Sequence, residues 1–382
     1  MLEGRTIRTV ALGLAAMAGL HTVAQAAEPE VTLTIHHFLS PKSTTQVRMI
    51  EPWAEGIEKA SDGRIAFEIF PSMSMGGKPP ELYRQVRDGA ADIVWTVIGY
   101  TPGVFPRSEA FELPTVHLGS AIATNMAIDD TFDLIAEDYE DIKPLLVHTH
   151  DGNALHMRRG VEEVLSLDAF QGIKLRTPSR TGAWMIEALG AEPVGMPVPN
   201  LPQALSKGVV DGALVPFEIF PPLKLAELTE TSVEGRNKER FGTSIFLFGM
   251  NKERFEELPE DLQQIIEEHS GRDFARRIGE VWHAEETVSK RQQFESGGTI
   301  LRLSEEVTPI SQNGGKASSI AGSRKFPAMI STVRPSSTRR GSPCARIPSD
   351  GTHDRVARQG RLASLRPARD ATPRMNADFP AR

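Results

Sequence analysis

Arg176 closes the short run Ile173-Lys174-Leu175 and is followed by Thr177-Pro178. An arginine at the end of an expected strand presents two parallel N–H donors that match the two oxygens of a carboxylate. It also stays charged when partly buried. The Thr-Pro that follows presents it rigidly, which limits the entropy lost on binding. From the residues alone, an arginine paired with a structural Asp or Glu is the better reading. His36 and His37 open HHFLS, after the first expected strand, where they would face a cleft. No Asp, Glu or Cys stands at ligand spacing beside them, so ligand contact or loop structure is the better reading than a metal. His148 and His150 alternate in HTH and His156 follows; cleft hydrogen bonding or exposure suits them better than metal binding. MSMGGKPPE lacks the GxxxxGK[ST] pattern of a phosphate loop. Its glycines serve a tight turn or a close backbone approach to ligand. Asp211-Gly212 reads as a turn. There is no GxSxG elbow, and the single cysteine, Cys344, stands in the C-terminal segment. No carboxylate pair stands out from helix-surface charge, so catalysis has no signature here.

These residues need elements to position them. Val31, Leu33 and Ile35 alternate and predict a strand leading into a loop over 36–45. Val47, Ile50, Trp53 and Ile57 keep helical spacing, and Gly63 stops that helix. Ile65, Phe67 and Ile69 predict a second strand. Prolines in KPPELYRQVRDG start a short helix that ends at Gly89, and ADIVWTVIGY is a further strand. The alternation restarts with KPLLVHTHDG, GIKLRTP, AEPVGMP and GALVPFEI as strands. DAFQ, the run around Trp184 and LPQALSKG are helical pieces between them. Residues 258–294 predict a long helical region, with Pro259 at its start. Strands alternating with helices predict parallel βαβ units and doubly wound sheets. Two such units and a long late helix predict two lobes with a cleft. Ligands of open α/β sheets bind beyond the carboxyl ends of strands, where Arg176 stands.

The 382 residues suffice for two domains of ordinary size, and 40% hydrophobic with 24% charged residues is a globular composition. One cysteine excludes a disulfide framework within the chain and a Cys-rich metal site. The net charge of −7 argues against nucleic acid as the main partner. That charge is uneven. Residues 311–382 hold 12 Arg and 2 Lys against 4 Asp, a net of +10, which leaves −17 on residues 1–310. This segment is rich in Ser, Pro, Arg and Ala, with almost no apolar periodicity. Such a composition cannot bury enough surface to offset chain entropy. A GC-rich gene read out of frame accounts for it better than a basic arm for nucleic acid or anionic lipid. At the other end, Arg5 and Arg8 precede an apolar run from Val10, and Ala24-Gln25-Ala26 follows. That is the pattern of a secretory signal peptide over residues 1–26, too short to span a bilayer. Cleavage after Ala26 is expected to leave an exported, soluble protein.

GxKxRTP, ALGAEPVGMP and QALSKGVVDGALVP, in this order and spacing, resemble the DctP-type solute-binding proteins of tripartite ATP-independent periplasmic (TRAP) transporters. SDGRIAFEIFPSMSMGG and YRQVRDGAADIVW are similar to that family's N-terminal half, and FGMNKERFEELPEDLQQII to its later part. The resemblance extends over residues 31–309. It implies an α/β, two-lobed periplasmic binding protein fold, with a ligand cleft between the lobes and a long late helix spanning both. Lobe I would take 27–151 plus 242–280. Lobe II and the spanning helix would take 152–241 plus 281–310. The resemblance implies that Arg176 forms a salt bridge with a ligand carboxylate. His37, Phe38, Trp95, Tyr100, Asn153, His156, Ser179 and Phe217 are the further expected contacts. It implies a monomeric periplasmic binding protein rather than an enzyme, with no cofactor or metal. Its partners would be a small organic anion and the subunits of a membrane permease.

The chain departs from the family's sialic-acid branch. That branch's second arginine falls near Ala154, its GxxNP asparagine at Val215, and a pocket acid near Val97. A less charged pocket with aromatic walls favours a monocarboxylate, aromatic or hydroxylated, over a dicarboxylate or sugar acid. A second carboxylate buried without a cation costs several kcal/mol. Two other classes stay in view. A periplasmic enzyme acting on a small organic acid would need turnover and a metal. A ligand-sensing domain would need a signalling partner. After ILRLSEEVTPI the family continues with an amphipathic helix, and the basic segment stands in its place.

Overall fold

The computed structural model describes residues 28–161, 168–235 and 238–303. The expected signal peptide and the basic segment 311–382 lie outside the described residues. In chain order the strands are β1 (Val31–His37), β2 (Ile65–Phe70), β3 (Ile93–Val97), β4 (Ile142–Thr149), β5 (Ala154–Arg158), β6 (Lys174–Thr177), β7 (Glu192–Gly195), β8 (Gly212–Val215), β9 (Thr229–Glu234), β10 (Ile245–Asn251) and β11 (Thr299–Arg302). The α-helices are α1 (Glu51–Ala60), α2 (Leu82–Arg87), α3 (Ala121–Asp130), α4 (Arg180–Ala188), α5 (Leu201–Ser206), α6 (Phe220–Leu223), α7 (Leu225–Leu228), α8 (Lys252–Glu256), α9 (Glu260–Ser270) and α10 (Arg272–Glu295).

The strands form two sheets, ordered β2-β1-β3-β10-β4 and β11-β9-β5-β8-β6-β7. β1 pairs in parallel with β2 and β3, with Leu33 opposite Phe67 and His37 opposite Trp95. β6 is parallel to β7 and β8. β10 runs antiparallel to β3 and β4, and β5 runs antiparallel to β8 and β9. The all-parallel expectation fails at these places for a topological reason. The chain leaves the first sheet after β4 and enters the second as β5. It returns after β9 as β10. Each incoming strand meets its neighbours head-on.

Two apolar clusters follow from the alternation. Leu33, Ile35, Ile93 and Phe248 pack with Trp53 and Ile57 of α1 beside the first sheet. Leu155, Met157, Leu175 and Leu214 pack with Ile186 of α4 beside the second. Burying each such side chain contributes about 1.5–3 kcal/mol. The turn before α1, Thr45–Ile50, is π-helical, and Val47 is turned outward, 40% exposed.

The late helical region is split. Gly271, in extended conformation, ends α9 and precedes α10. α10 packs on α3 and β4 beside the first sheet, and on Phe217–Ile219 and β11 beside the second. A Cβ on Gly279 would lie 2.7 Å from Ile122 Cα, so α10 and α3 meet backbone to backbone there. Both sheets are thus tied to one helix.

Candidate functional site

The carboxyl ends of β6 and β8 and the amino end of antiparallel β5 share one edge of the second sheet. Arg176, Pro178, Val215, Pro216, Glu218 and Asn153 come together there. Facing them are groups of the first sheet: Phe38 and Leu39 after β1, Trp95 and Val97 of β3, Tyr100 just beyond β3, and Ser244 and Phe246 at the start of β10. With His150, Val198 and Ile219 they line a cavity of about 380 Å³, counted out to its open mouth.

Arg176 is only 2% exposed. Its Nε–H donates to Met196 O (2.9 Å) and Nη1 donates to Leu214 O (3.2 Å). Nη2 faces Tyr100 Oη at 3.5 Å. No carboxylate among the described residues pairs with it, so the structural ion-pair alternative has no partner here. Burial lowers its pKa, and the Tyr100 side chain partly offsets this; a guanidinium remains charged at physiological pH all the same. Guanidinium carries five N–H donors, so one on each Nη is left for another acceptor. Tyr100 Oη accepts the Val198 N–H (2.9 Å), which leaves its own hydrogen to donate.

The walls are aromatic. Trp95 stacks on Phe38 (centroids 5.0 Å apart) and on Phe246 (4.8 Å). Trp95 Nε1–H donates to His148 Nε2 (3.0 Å), which puts the imidazole proton on Nδ1, facing Thr149 O. Burial drives His148 down to about 3, so it stays neutral and braces the stack. Asn153 joins the two segments that cross between the sheets. Its N–H donates to Gly242 O (2.8 Å), and its own carbonyl accepts the Phe241 N–H (2.9 Å). Its side-chain Oδ1, buried, has no hydrogen-bond partner among the described residues. Glu218, also buried, is pushed up to about 8 by desolvation first and then by the nearby Glu286 and Glu285 carboxylates. The Trp282 indole offsets part of this.

Of the residues expected from sequence, Arg176, Phe38, Trp95, Tyr100 and Asn153 line the cavity. His37, His156, Ser179 and Phe217 do not. The His37 ring bonds Gln46 Oε1 (3.1 Å). His156 Nε2–H donates to Val215 O (3.1 Å), and Nδ1 accepts from the Ser232 hydroxyl (2.8 Å), so both ring nitrogens are spent inside the second lobe. Its ring packs edge-on against Phe217 at 4.6 Å. Ser179 caps α4, accepting the Gly182 N–H (3.2 Å). His150, read from sequence as a cleft hydrogen-bonding or exposed residue, also lines the cavity, whereas sequence reasoning passed over Glu218, Ser244 and Phe246 as contacts. Glu218 offered one signal, an acid inside the apolar run VPFEI. Ser244 and Phe246 offered none, because β10 reaches the cleft only by its return to the first sheet. Among the described residues no group of three or more His, Cys, Asp or Glu could hold a metal, and no helix is long and apolar enough to cross a membrane.

The rims of the cleft touch. Arg180 pairs with Glu109 at 2.5 Å, and the Thr181 hydroxyl donates to Glu112. A Cβ on Gly99 would lie 2.5 Å from Ser179 Cβ.

Two α/β sheets, joined by crossing segments around one buried cation, define a two-lobed binding protein rather than a single-sheet domain. Comparison with known proteins gives the family. Residues 35–314 match the family described as bacterial extracellular solute-binding protein, family 7. A marine metagenome TRAP solute binding protein specific for aromatic acid ligands, solved in complex with metahydroxyphenylacetate, is 41% identical. It has a TM-score of 0.70 over 74% of this chain and 89% of its own. A TRAP solute binding protein from Rhodoferax ferrireducens T118, solved with copurified benzoate, is 34% identical, with a TM-score of 0.70 over 76% and 89%. The uncharacterized protein y4mM of Sinorhizobium fredii is 24% identical over 82% of this chain, which spans 56% of that relative's length. The chain belongs to the extracellular solute-binding protein family 7, the DctP-type binding proteins of TRAP transporters.

Proposed function

We propose that this protein is the periplasmic binding component of a TRAP transporter and that it captures a single-ring aromatic monocarboxylate. The observation that carries the reading is Arg176, a buried cation with no acidic partner among the described residues and two uncommitted N–H groups at an aromatic slot. A carboxylate takes those two donors and the Tyr100 proton in charge-assisted hydrogen bonds. Phe38, Trp95 and Phe246 offer flat faces to a ring. Among the described residues Arg176 is the sole Lys or Arg lining the cavity, so a second carboxylate would be buried unpaired. The aromatic-acid specificity of the metagenome relative and the benzoate in the Rhodoferax protein support the ligand class.

In this reading the lobes part and close by hinge motion at the crossing segments around Asn153 and Gly242. Closure brings Arg180 to Glu109 and Thr181 to Glu112, and shields the ligand from water. The binding protein, acting as a single chain without cofactor or catalysis, then passes the ligand to the membrane permease. The test is a thermal-shift and calorimetric titration with benzoate and substituted benzoates. Binding raises the melting temperature by mass action, and Arg176→Ala abolishes that rise. Undiminished binding by Arg176→Ala sinks the proposal. A cooperative melt that no aromatic acid shifts shows that the ligand class is wrong.

A further inference from the structure

We propose that Asn153 and Glu218 form a second polar subsite that selects a hydroxyl group on the ring of the ligand. The inference rests on the reading of Arg176 as the carboxylate anchor. Asn153 immediately precedes β5 and Arg176 lies near the end of β6, with β8 between them. In that register Ala154 pairs with Val215, and Arg176 with Ala213. Two strand spacings separate the two backbones by about 10 Å. Val215 and Pro216, where the chain leaves β8, lie between them, and Glu218 follows on the turn Phe217–Ile219. A ring whose carboxylate rests on Arg176 therefore directs its far side toward Asn153 and Glu218.

Both residues have hydrogen-bonding capacity to spare. Asn153 is 1% exposed, and its Oδ1 finds no donor among the described residues. A buried acceptor left bare is costly, so the position calls for a donor. Glu218 has no cation within ion-pair distance among the described residues. Arg240 bonds Glu286 (2.6 Å) and Glu234 (3.2 Å) instead, and Lys290 bonds Glu234 (2.6 Å). The Phe217 N–H beside it goes to Glu286 Oε2 (3.0 Å). Burial and the carboxylates of α10 keep Glu218 protonated at neutral pH, so it has an O–H to give. A phenolic hydroxyl is both donor and acceptor. It gives its hydrogen to Asn153 Oδ1 and receives that of Glu218. A bare ring leaves the amide oxygen unpaired. A second carboxylate has no hydrogen for Asn153 and, among the described residues, no cation to meet.

The experiment is calorimetric titration of the protein with benzoate, meta- and para-hydroxybenzoate, and benzene-1,3-dicarboxylate. The wild type is expected to bind one hydroxybenzoate about tenfold or more tightly than benzoate, and the dicarboxylate not at all. Asn153→Ala and Glu218→Met each bring the hydroxybenzoate-to-benzoate affinity ratio toward unity, whatever either does to the affinity for benzoate itself. Glu218→Gln keeps a neutral donor of the same shape and keeps the preference, which guards against a misfolded Met variant. Equal binding of benzoate and both hydroxybenzoates by the wild type overturns the subsite and leaves the carboxylate reading intact. So does a preference that survives Asn153→Ala. If folded wild type binds none of the four acids, both readings fall together.

Discussion

A guanidinium is taken out of water at Arg176, and among the described residues the fold returns two carbonyls and a phenol in exchange. Burial lowers its pKa, and in the proposed function the attraction of a ligand carboxylate would offset that desolvation. Lysine cannot replace it, because an ammonium is a point charge without the planar fork. Arg176→Lys is expected to weaken benzoate binding by about 2 kcal/mol, roughly thirtyfold, as measured by calorimetry. Equal affinity would show that charge alone suffices. Glu218 makes a separate prediction about pH. Its folded value of about 8 lies above the ordinary carboxyl value of 4.5, chiefly through burial, with Glu286 and Glu285 adding to it. The unfolded chain gives up this proton from about pH 4.5 upward, while the folded chain holds it until about 8. Stability from this group therefore falls as pH rises through that window and levels off above it. Glu218→Gln removes the titration. Its melting temperature relative to wild type should climb between pH 5 and pH 8, and a flat or falling difference would contradict the assignment.

Elements meet at two glycines for different reasons. At Gly279 the constraint is packing. Backbone atoms of Ile122 stand 2.7 and 2.9 Å from where a Cβ would sit, and backbone cannot give way as a flexible side chain can. Gly279→Ala is expected to cost about 1–3 kcal/mol of stability by overpacking α10 against α3, read as a lower urea midpoint. At Gly99 the constraint is closure. The clash would be with Ser179 of the facing lobe, so it arises only when the rims touch. Gly99→Ala should leave the ligand-free melting temperature nearly unchanged and weaken binding. A large loss of stability in the ligand-free protein would mean that the rims stay together without ligand. The split of the late helix at Gly271 fits the same logic, since α9 packs on α1 while α10 turns away to reach both sheets.

At the scale of the molecule, the lobes bury many imidazoles in the neutral form. His36, His37, His117, His148, His150 and His156 are all lowered from 6.5, desolvation being the largest cause in each. The unfolded chain binds these protons below pH 6.5 and the folded chain resists them, so their contribution is complete above 6.5 and is lost as pH falls. Glu109, Glu112, Glu218 and Glu286 are raised and act in the opposite sense. The histidines outnumber them, so urea midpoints are expected to drop from pH 7 to pH 5. A rise over that range would contradict this balance. A chain ending at Ile310 is expected to melt at the temperature of the full chain, because the patternless basic segment has no apolar face to pack. A marked loss would show that it packs on the body.

Much of the lobe architecture was legible locally. Period-2 alternation marks β1 and β2, glycines and prolines mark the breaks, and the end of β6 next to Arg176 follows from Lys174-Leu175-Arg176-Thr177 before Pro178. The linked motifs around Arg176 indicated the family that the comparisons then showed. What local pattern cannot hold is direction and company. The antiparallel return of β10, which brings Ser244 and Phe246 to the cleft, depends on where the chain crosses between sheets. Alternation says that His156 and Phe217 are buried, but not that their rings face each other inside the second lobe rather than the cleft. The lack, among the described residues, of an acid beside Arg176 and of a donor to Asn153 Oδ1, and the raised pKa of Glu218, all depend on groups distant in sequence. Residue types were set by the sequence, while their solvation and partners, which make them a site, arose only when the two sheets closed on each other.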